Sequence, residues 1–187
     1  MRYKKTKVYK FQAKFDFGTE CAYRIMLFDS SASLATLGFA ILSSFLATPG
    51  KKLWFLMGEN SYSLEESLVP LSSLRLTRGR VINVIYDEDK VFCFDVRFME
   101  AVEREELSYP VILDGKGLGI VDHLERPEMR EALLRIRNLG IADTLFRSPD
   151  NGRWTPWDYD SYSLDEDNAR LHQRIRCVEG VYSAHEE

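Results

Sequence analysis

Apolar and polar residues alternate strictly at the start of the chain. Tyr9, Phe11, Ala13, Phe15 and Phe17 are separated by Lys10, Gln12, Lys14 and Asp16. Period two with aromatic enrichment predicts a half-buried strand over 8–17. Gly18-Thr19-Glu20 predicts a turn, and Ala22 to Phe28 a second strand, so the two form a hairpin. The period then changes. Leu34, Leu37, Ile41 and Phe45 follow the capping candidates Asp29 to Ser33 at helical spacing, and Pro49-Gly50 ends that helix. Leu53 to Met57 predicts a buried strand and Pro70 to Leu76 a one- or two-turn helix. Val81–Tyr86 and Val91–Met99 predict strands about the polar turn Asp87-Glu88-Asp89-Lys90.

The second half is less regular. Ser108 to Leu124, with Tyr109-Pro110 and Asp114-Gly115-Lys116-Gly117, reads as a loop. Pro127 opens a helix that runs to Leu139 before Gly140, with Leu133, Ile136 and Leu139 expected on its inner face. A short helix is expected from Leu164 to Ile175, with Ser163 as cap and Glu166 at the capping-box position. The tail, 176–187, is expected to be loose. The order ββαβ…ββ followed by helices predicts an α+β fold. Its sheet is mostly antiparallel with helices packed on it, and a β-grasp-like core is compatible with that order.

Length and composition narrow the class. With 187 residues, 45% apolar and 29% charged, the chain fits one domain, 1–187, with a core at about 7–171. The net charge of -4 argues against a broad nucleic-acid footprint. Cys21, Cys93 and Cys177 are odd in number and widely spaced, which fits buried or half-buried thiols in a reducing cytosol. The longest apolar stretch, Leu34 to Ala47, is shorter than the ~20 residues a membrane-spanning helix needs. Met1-Arg2-Tyr3-Lys4-Lys5 has no apolar signal core. A cytoplasmic protein without a membrane partner is expected.

Several stretches, taken in order, carry a resemblance. They are Leu34-x-x-Leu37 after the hairpin, Leu53-Trp54-Phe55, and Tyr86-Asp87 with Phe92. Then come Tyr109-Pro110-x-x-Leu113-Asp114-Gly115-x-Gly117, Trp157-Asp158 and Tyr162-x-Leu164-x-x-x-Asn168-x-x-Leu171. Together they resemble the plasmid pRiA4b ORF-3-like family, whose members are also described as passenger proteins of insertion elements. The resemblance covers roughly residues 7–171. It implies an α+β fold and an association with mobile elements, and no reaction, since the family's biochemical function is not established. The chain departs from the family in three places. Gly38 replaces a histidine, Asp89-Lys90-Val91 replaces a Gly-Asp-Asp turn, and 119–124 replaces a Cys-Pro-Pro-Glu-Asp-Cys segment. If relatives hold a metal in that last segment, this chain would do so through Asp122 and His123.

The candidate chemistry falls into three groups. Asp87, Glu88, Asp89, Asp114, Asp122 and His123 come from two turn-rich segments and supply the oxygen ligands that Mg²⁺ or Mn²⁺ prefers. Asp and Glu are also ordinary turn residues. Lys4, Lys5 and Lys7, interleaved with Tyr3 and Tyr9, form a phosphate-contact candidate. Trp154, Trp157, Tyr159 and Tyr162 suit an interface anchor or the pinning of the C-terminal segment onto the core. Neither a nucleophile elbow nor a phosphate loop is present. Three functions follow: a non-enzymatic cytoplasmic domain that binds a protein or nucleic acid; a hydrolase or nuclease dependent on a divalent metal, using Asp87, Asp89, Asp114 and Asp122; and a nucleic-acid-binding protein.

Overall fold

A computed structural model of the chain describes residues 5–105 and 108–184. The strands are β1 (Lys5–Asp16), β2 (Cys21–Asp29), β3 (Leu53–Met57), β4 (Asn60–Tyr62), β5 (Val81–Tyr86), β6 (Phe92–Glu105), β7 (Val111–Lys116), β8 (Leu145–Arg147) and β9 (Trp154–Pro156). The helices are α1 (Leu34–Ser44), α2 (Arg126–Leu139) and α3 (Leu164–Ser183), with short 3-10 turns at Glu65–Leu68, Leu71–Leu74 and Tyr159–Ser161. The fold is α+β. Seven strands form one sheet in the order β4-β3-β5-β6-β1-β2-β7, and β8 and β9 pair separately. Each pairing in the large sheet is antiparallel. After α1 the chain does not return beside β1. It goes to the far side of the sheet, where β3 pairs with β4 and β5.

The alternation in β1 does what its period requires. Phe11, Ala13 and Phe15 are buried, while Lys14 and Asp16 face water. Lys14, Asp95, Arg97 and Lys116 present the opposite face of the sheet to solvent. Helix α1 starts where Ser33 accepts a hydrogen bond from the Thr36 amide at 3.0 Å. It is buried along almost its whole length. Close approach to β3 explains Gly38, where a Cβ would stand 2.7 Å from the Phe55 ring. Helix α3 packs over α1, with Tyr182 stacked on Phe39 at 5.6 Å, and also meets β7.

Four expectations change. Residues 108–124 are not a continuous loop: Val111–Lys116 pairs with β2 as β7, and Asp114-Gly115 lies in a strand. Pairing with β2 outweighs the local turn preference of Asp-Gly. Gly115 is there for space, since a Cβ would stand 2.6 Å from the Tyr162 oxygen. On α2 Leu133 is buried and Ile136 packs against the core as expected, joined by Met129 and Ala132, but Leu139 is exposed. Helix α3 does not stop at Ile175. The expected loose tail is helical as far as Ser183, with Val178 and Tyr182 buried, and 185–187 lie outside the described residues. Cys93 and Cys177 are exposed thiols.

Candidate functional site

The acidic residues expected to share a cation do not converge. Asp114 sits on β7 opposite Ile25, accepting from the Tyr23 hydroxyl at 3.1 Å and the Gly115 amide at 2.8 Å. Asp87 and Asp89 lie beyond β2 and β1, in the β5–β6 turn, where Asp87 accepts from the Asp89 amide and faces Lys51. Asp122 accepts from the Thr48 amide at 2.6 Å and from the Tyr86 hydroxyl at 3.4 Å. Its carbonyl accepts from Lys90. Among the described residues, no three His, Cys, Asp or Glu side chains are grouped to hold a metal ion. These carboxylates close turns and tie loops together, as isolated aspartates do.

Of the basic group, Lys5 and Lys7 lie two residues apart on β1, both exposed. Lys4 lies outside the described residues. Lys5 and Lys7 stand on the strand opposite Glu105 and Glu103, and the neighbouring Lys10 pairs with Glu100 at 3.2 Å. The Lys10–Glu100 pair across the ladder stabilises it.

The aromatic group divides in two. Trp157 and Tyr159 are fully buried: the Trp157 indole donates to the Gly119 carbonyl at 3.1 Å and the Tyr159 hydroxyl to the Cys21 carbonyl at 2.9 Å. Burial pushes the Tyr159 hydroxyl up to about 12. Tyr162 is half-buried, with its ring centre 3.9 Å from the Arg24 guanidinium carbon. These three pin the C-terminal segment to the core. Trp154 is different. It is 58% exposed and meets His123 edge-to-face, with ring centres 5.4 Å apart.

His123 and Trp154 belong to separate sequence groups, yet they line one cleft of about 680 Å³ between α2 and the β8–β9 hairpin. The other walls are Leu145, Thr144 and, along one face of α2, Glu128, Glu131 and Arg135. The hairpin alternates as a strand pair must. Phe146 is buried, while Leu145 and Trp154 are outward. Arg135 is held by Asp143 and Thr144, both at 3.1 Å, so its charge is already met. Glu128 bonds to the Glu125 amide, starting α2 with a capping box. The cleft thus has apolar walls and an acidic rim. Leu139 and Ile141, on the way from α2 to β8, are also exposed. Exposed apolar side chains that share one cleft, here Leu145 and Trp154, mark a contact surface.

Sequence reasoning missed a buried charge network behind this region. Arg24 is wholly buried. Its Nε donates to Asp167 at 3.3 Å, one terminal nitrogen to the Tyr23 and Lys116 carbonyls, and the other to the Ser44 carbonyl at 3.0 Å. The rings of Phe45 and Tyr162 flank it. Asp167 also accepts from Arg174, which forks onto Asp150 at 2.6 and 2.7 Å. Burial favours the neutral forms, pushing Asp167 up and Arg24 down, and their mutual attraction opposes this. The signal for Arg24 was present: it occupies an inward position of β2, in phase with Ala22 and Met26. Asp150 left no such trace, since it reaches Arg174 from a loop.

No protein-family model matches the chain, and no curated protein matches it. Among solved structures, the chain is similar to a protein of unknown function, MM3350 from Methanosarcina mazei Go1. The TM-score is 0.64 at 18% identity, covering 72% of this chain and 84% of that one. That likeness concerns the fold. Among the described residues no helix is long and apolar enough to cross a membrane.

Proposed function

We propose that the protein is a non-enzymatic binding domain whose contact site is the cleft between α2 and the β8–β9 hairpin. The observation that carries this reading is the exposed Trp154, set against His123 and Leu145 above the Glu128–Glu131 face. An exposed tryptophan in a concave, partly apolar setting is a typical energetic anchor of an interface. The acidic rim selects the partner's chemistry: a protein segment with one large apolar side chain flanked by lysine or arginine. The resemblance to the pRiA4b ORF-3-like family fits this reading. The residues that carry it near the C-terminus, Trp157, Tyr162 and Asn168, all have packing or edge-sealing tasks. They would serve as a scaffold shared with relatives while the contact surface varies.

The test is selection of binders from a random peptide display library. Selected sequences are expected to combine an aromatic or leucine with basic neighbours. Trp154→Ala should weaken them about 30-fold, as loss of a 2 kcal/mol anchor does. The melting temperature should stay unchanged, because the ring is mostly in water. Selected sequences that are acidic, or that bind Trp154→Ala as well as wild type, would refute the assignment.

A further inference from the structure

A second cleft, of about 600 Å³, lies at the turn of the β8–β9 hairpin. Its walls are α3, the connection from α1 to β3, and the turn between β8 and β9. Three guanidinium groups line it, Arg147, Arg170 and Arg174, against one carboxylate, Asp150. The excess of positive charge is notable in a chain of net charge -4.

The arginines are held ready. Arg170 and Arg174 are one helical turn apart on α3, so both point the same way. Arg174 is fixed from behind by Asp167, which is itself fixed by the buried Arg24. Together the two arginines grip Asp150. Arg174 donates through Nε and one terminal nitrogen at 2.6 and 2.7 Å, and Arg170 at 2.8 Å. A paired-guanidinium fork on a two-oxygen acceptor is the geometry by which proteins bind carboxylate and phosphate. Arg147 makes no ion pair among the described residues. Its Nε donates to the Gly152 carbonyl at 3.2 Å, which leaves its terminal nitrogens available to the cleft.

The carboxylate in the fork comes from a hairpin turn. Asp150 rides on the turn 148–152, which is closed by the Ser148–Arg153 and Gly152–Ser148 backbone bonds. The hairpin strands are three residues each and form their own small sheet, apart from the seven-stranded one. Moving such a turn breaks no ladder of the main sheet.

We propose that this cleft is a binding site for a phosphoryl group, and that Asp150 is its displaceable internal occupant. A dianion suits the site better than a second carboxylate would. Asp150 already provides one negative charge to two arginines, and a dianion brings a second charge to offset Arg147. Ala47, Pro49 and Val178 give the cleft an apolar wall, and its volume is that of a small-molecule pocket. A small phosphate monoester is therefore favoured over free phosphate.

The experiment is calorimetric titration of the full chain with inorganic phosphate and with phenyl phosphate, at constant ionic strength against chloride. Asp150→Asn keeps the side-chain shape and removes the charge, so it should bind phosphate at least tenfold more tightly than wild type. Adding Arg147→Ala to that variant should abolish the gain. Phenyl phosphate binding more tightly than phosphate would assign the site to an organic monoester, and equal affinity would assign it to phosphate itself. Should Asp150→Asn prove unstable, ³¹P line broadening on wild type, relieved by Arg147→Ala, reads the same site. No saturable binding to either protein would overturn the proposal, as would binding indifferent to Arg147. In that case Arg170, Arg174 and Asp150 form a structural ion cluster only.

Discussion

Arg24 shows how much one side chain can hold. It joins β2 to β7 through the Lys116 carbonyl, to the end of α1 through Ser44, and to α3 through Asp167. Arg24→Ala should cost about 3–5 kcal/mol, because Asp167 then stays buried with one of its cations gone. Arg24→Lys should not restore it, since a point charge cannot serve four acceptors lying in the guanidinium's fan. Denaturant midpoints of the two variants check both statements, and recovery with lysine would mean that charge alone matters. Val91 is the opposite case. It is half exposed and held at φ 52° in the turn before β6. A β-branched residue is strained in that region. Val91→Asn should stabilise by roughly 1 kcal/mol, seen as a melting temperature about 2–4 °C higher for a chain of this size.

At the scale of elements, the exposed margin of β7 is sealed by a side chain. Asn168 on α3 accepts from the Ile112 amide at 2.9 Å and donates to the Ile112 carbonyl at 2.8 Å. Its amide therefore takes the place of one residue of an eighth strand. At the other margin, β4 is only three residues long. Short or covered edges keep a sheet from recruiting further strands. Asn168→Asp keeps the acceptor but turns a second oxygen toward the Ile112 carbonyl. It should cost about 1–3 kcal/mol and promote concentration-dependent association in light scattering. A variant as stable and monodisperse as wild type would remove Asn168 from this role.

At the scale of the whole molecule, Arg137 of α2 clamps three segments. It pairs with Glu20 in the β1–β2 turn and with Asp160 beside the buried Tyr159, whose ring it also faces. The hydrogen bonds from Arg137 hold both carboxyls below the ordinary carboxylate range. A carboxyl with a lowered folded value adds stability above its unfolded value, and that stability is lost as pH falls through the folded one. The stability gap between wild type and Arg137→Ala should therefore be widest at neutral pH and close below about pH 4. Thermal melts of both proteins between pH 3 and 7 measure it. A gap independent of pH would make the clamp a matter of packing.

The sequence by itself determined the elements whose side chains repeat. The period-two run of β1, the wide apolar stripe of α1 with its Ser33 cap, and the Pro127-to-Gly140 helix are local patterns, because a strand or helix facing a core must repeat its apolar residues at its own period. It also placed Trp157 and Tyr159 among the residues that anchor the C-terminal segment. Tertiary structure alone decided the rest. β7 is a strand only because β2 offers it a ladder, which overrides an Asp-Gly pair that favours a turn. The acidic residues looked like one cluster in the chain, but the strand order put β1 and β2 between the β5–β6 turn that carries Asp87 and the strand β7 that carries Asp114. His123 and Trp154, thirty-one positions apart, meet because α2 and the small hairpin pack side by side. Contacts between distant segments arise from how elements pack, and packing leaves no period in the sequence to read.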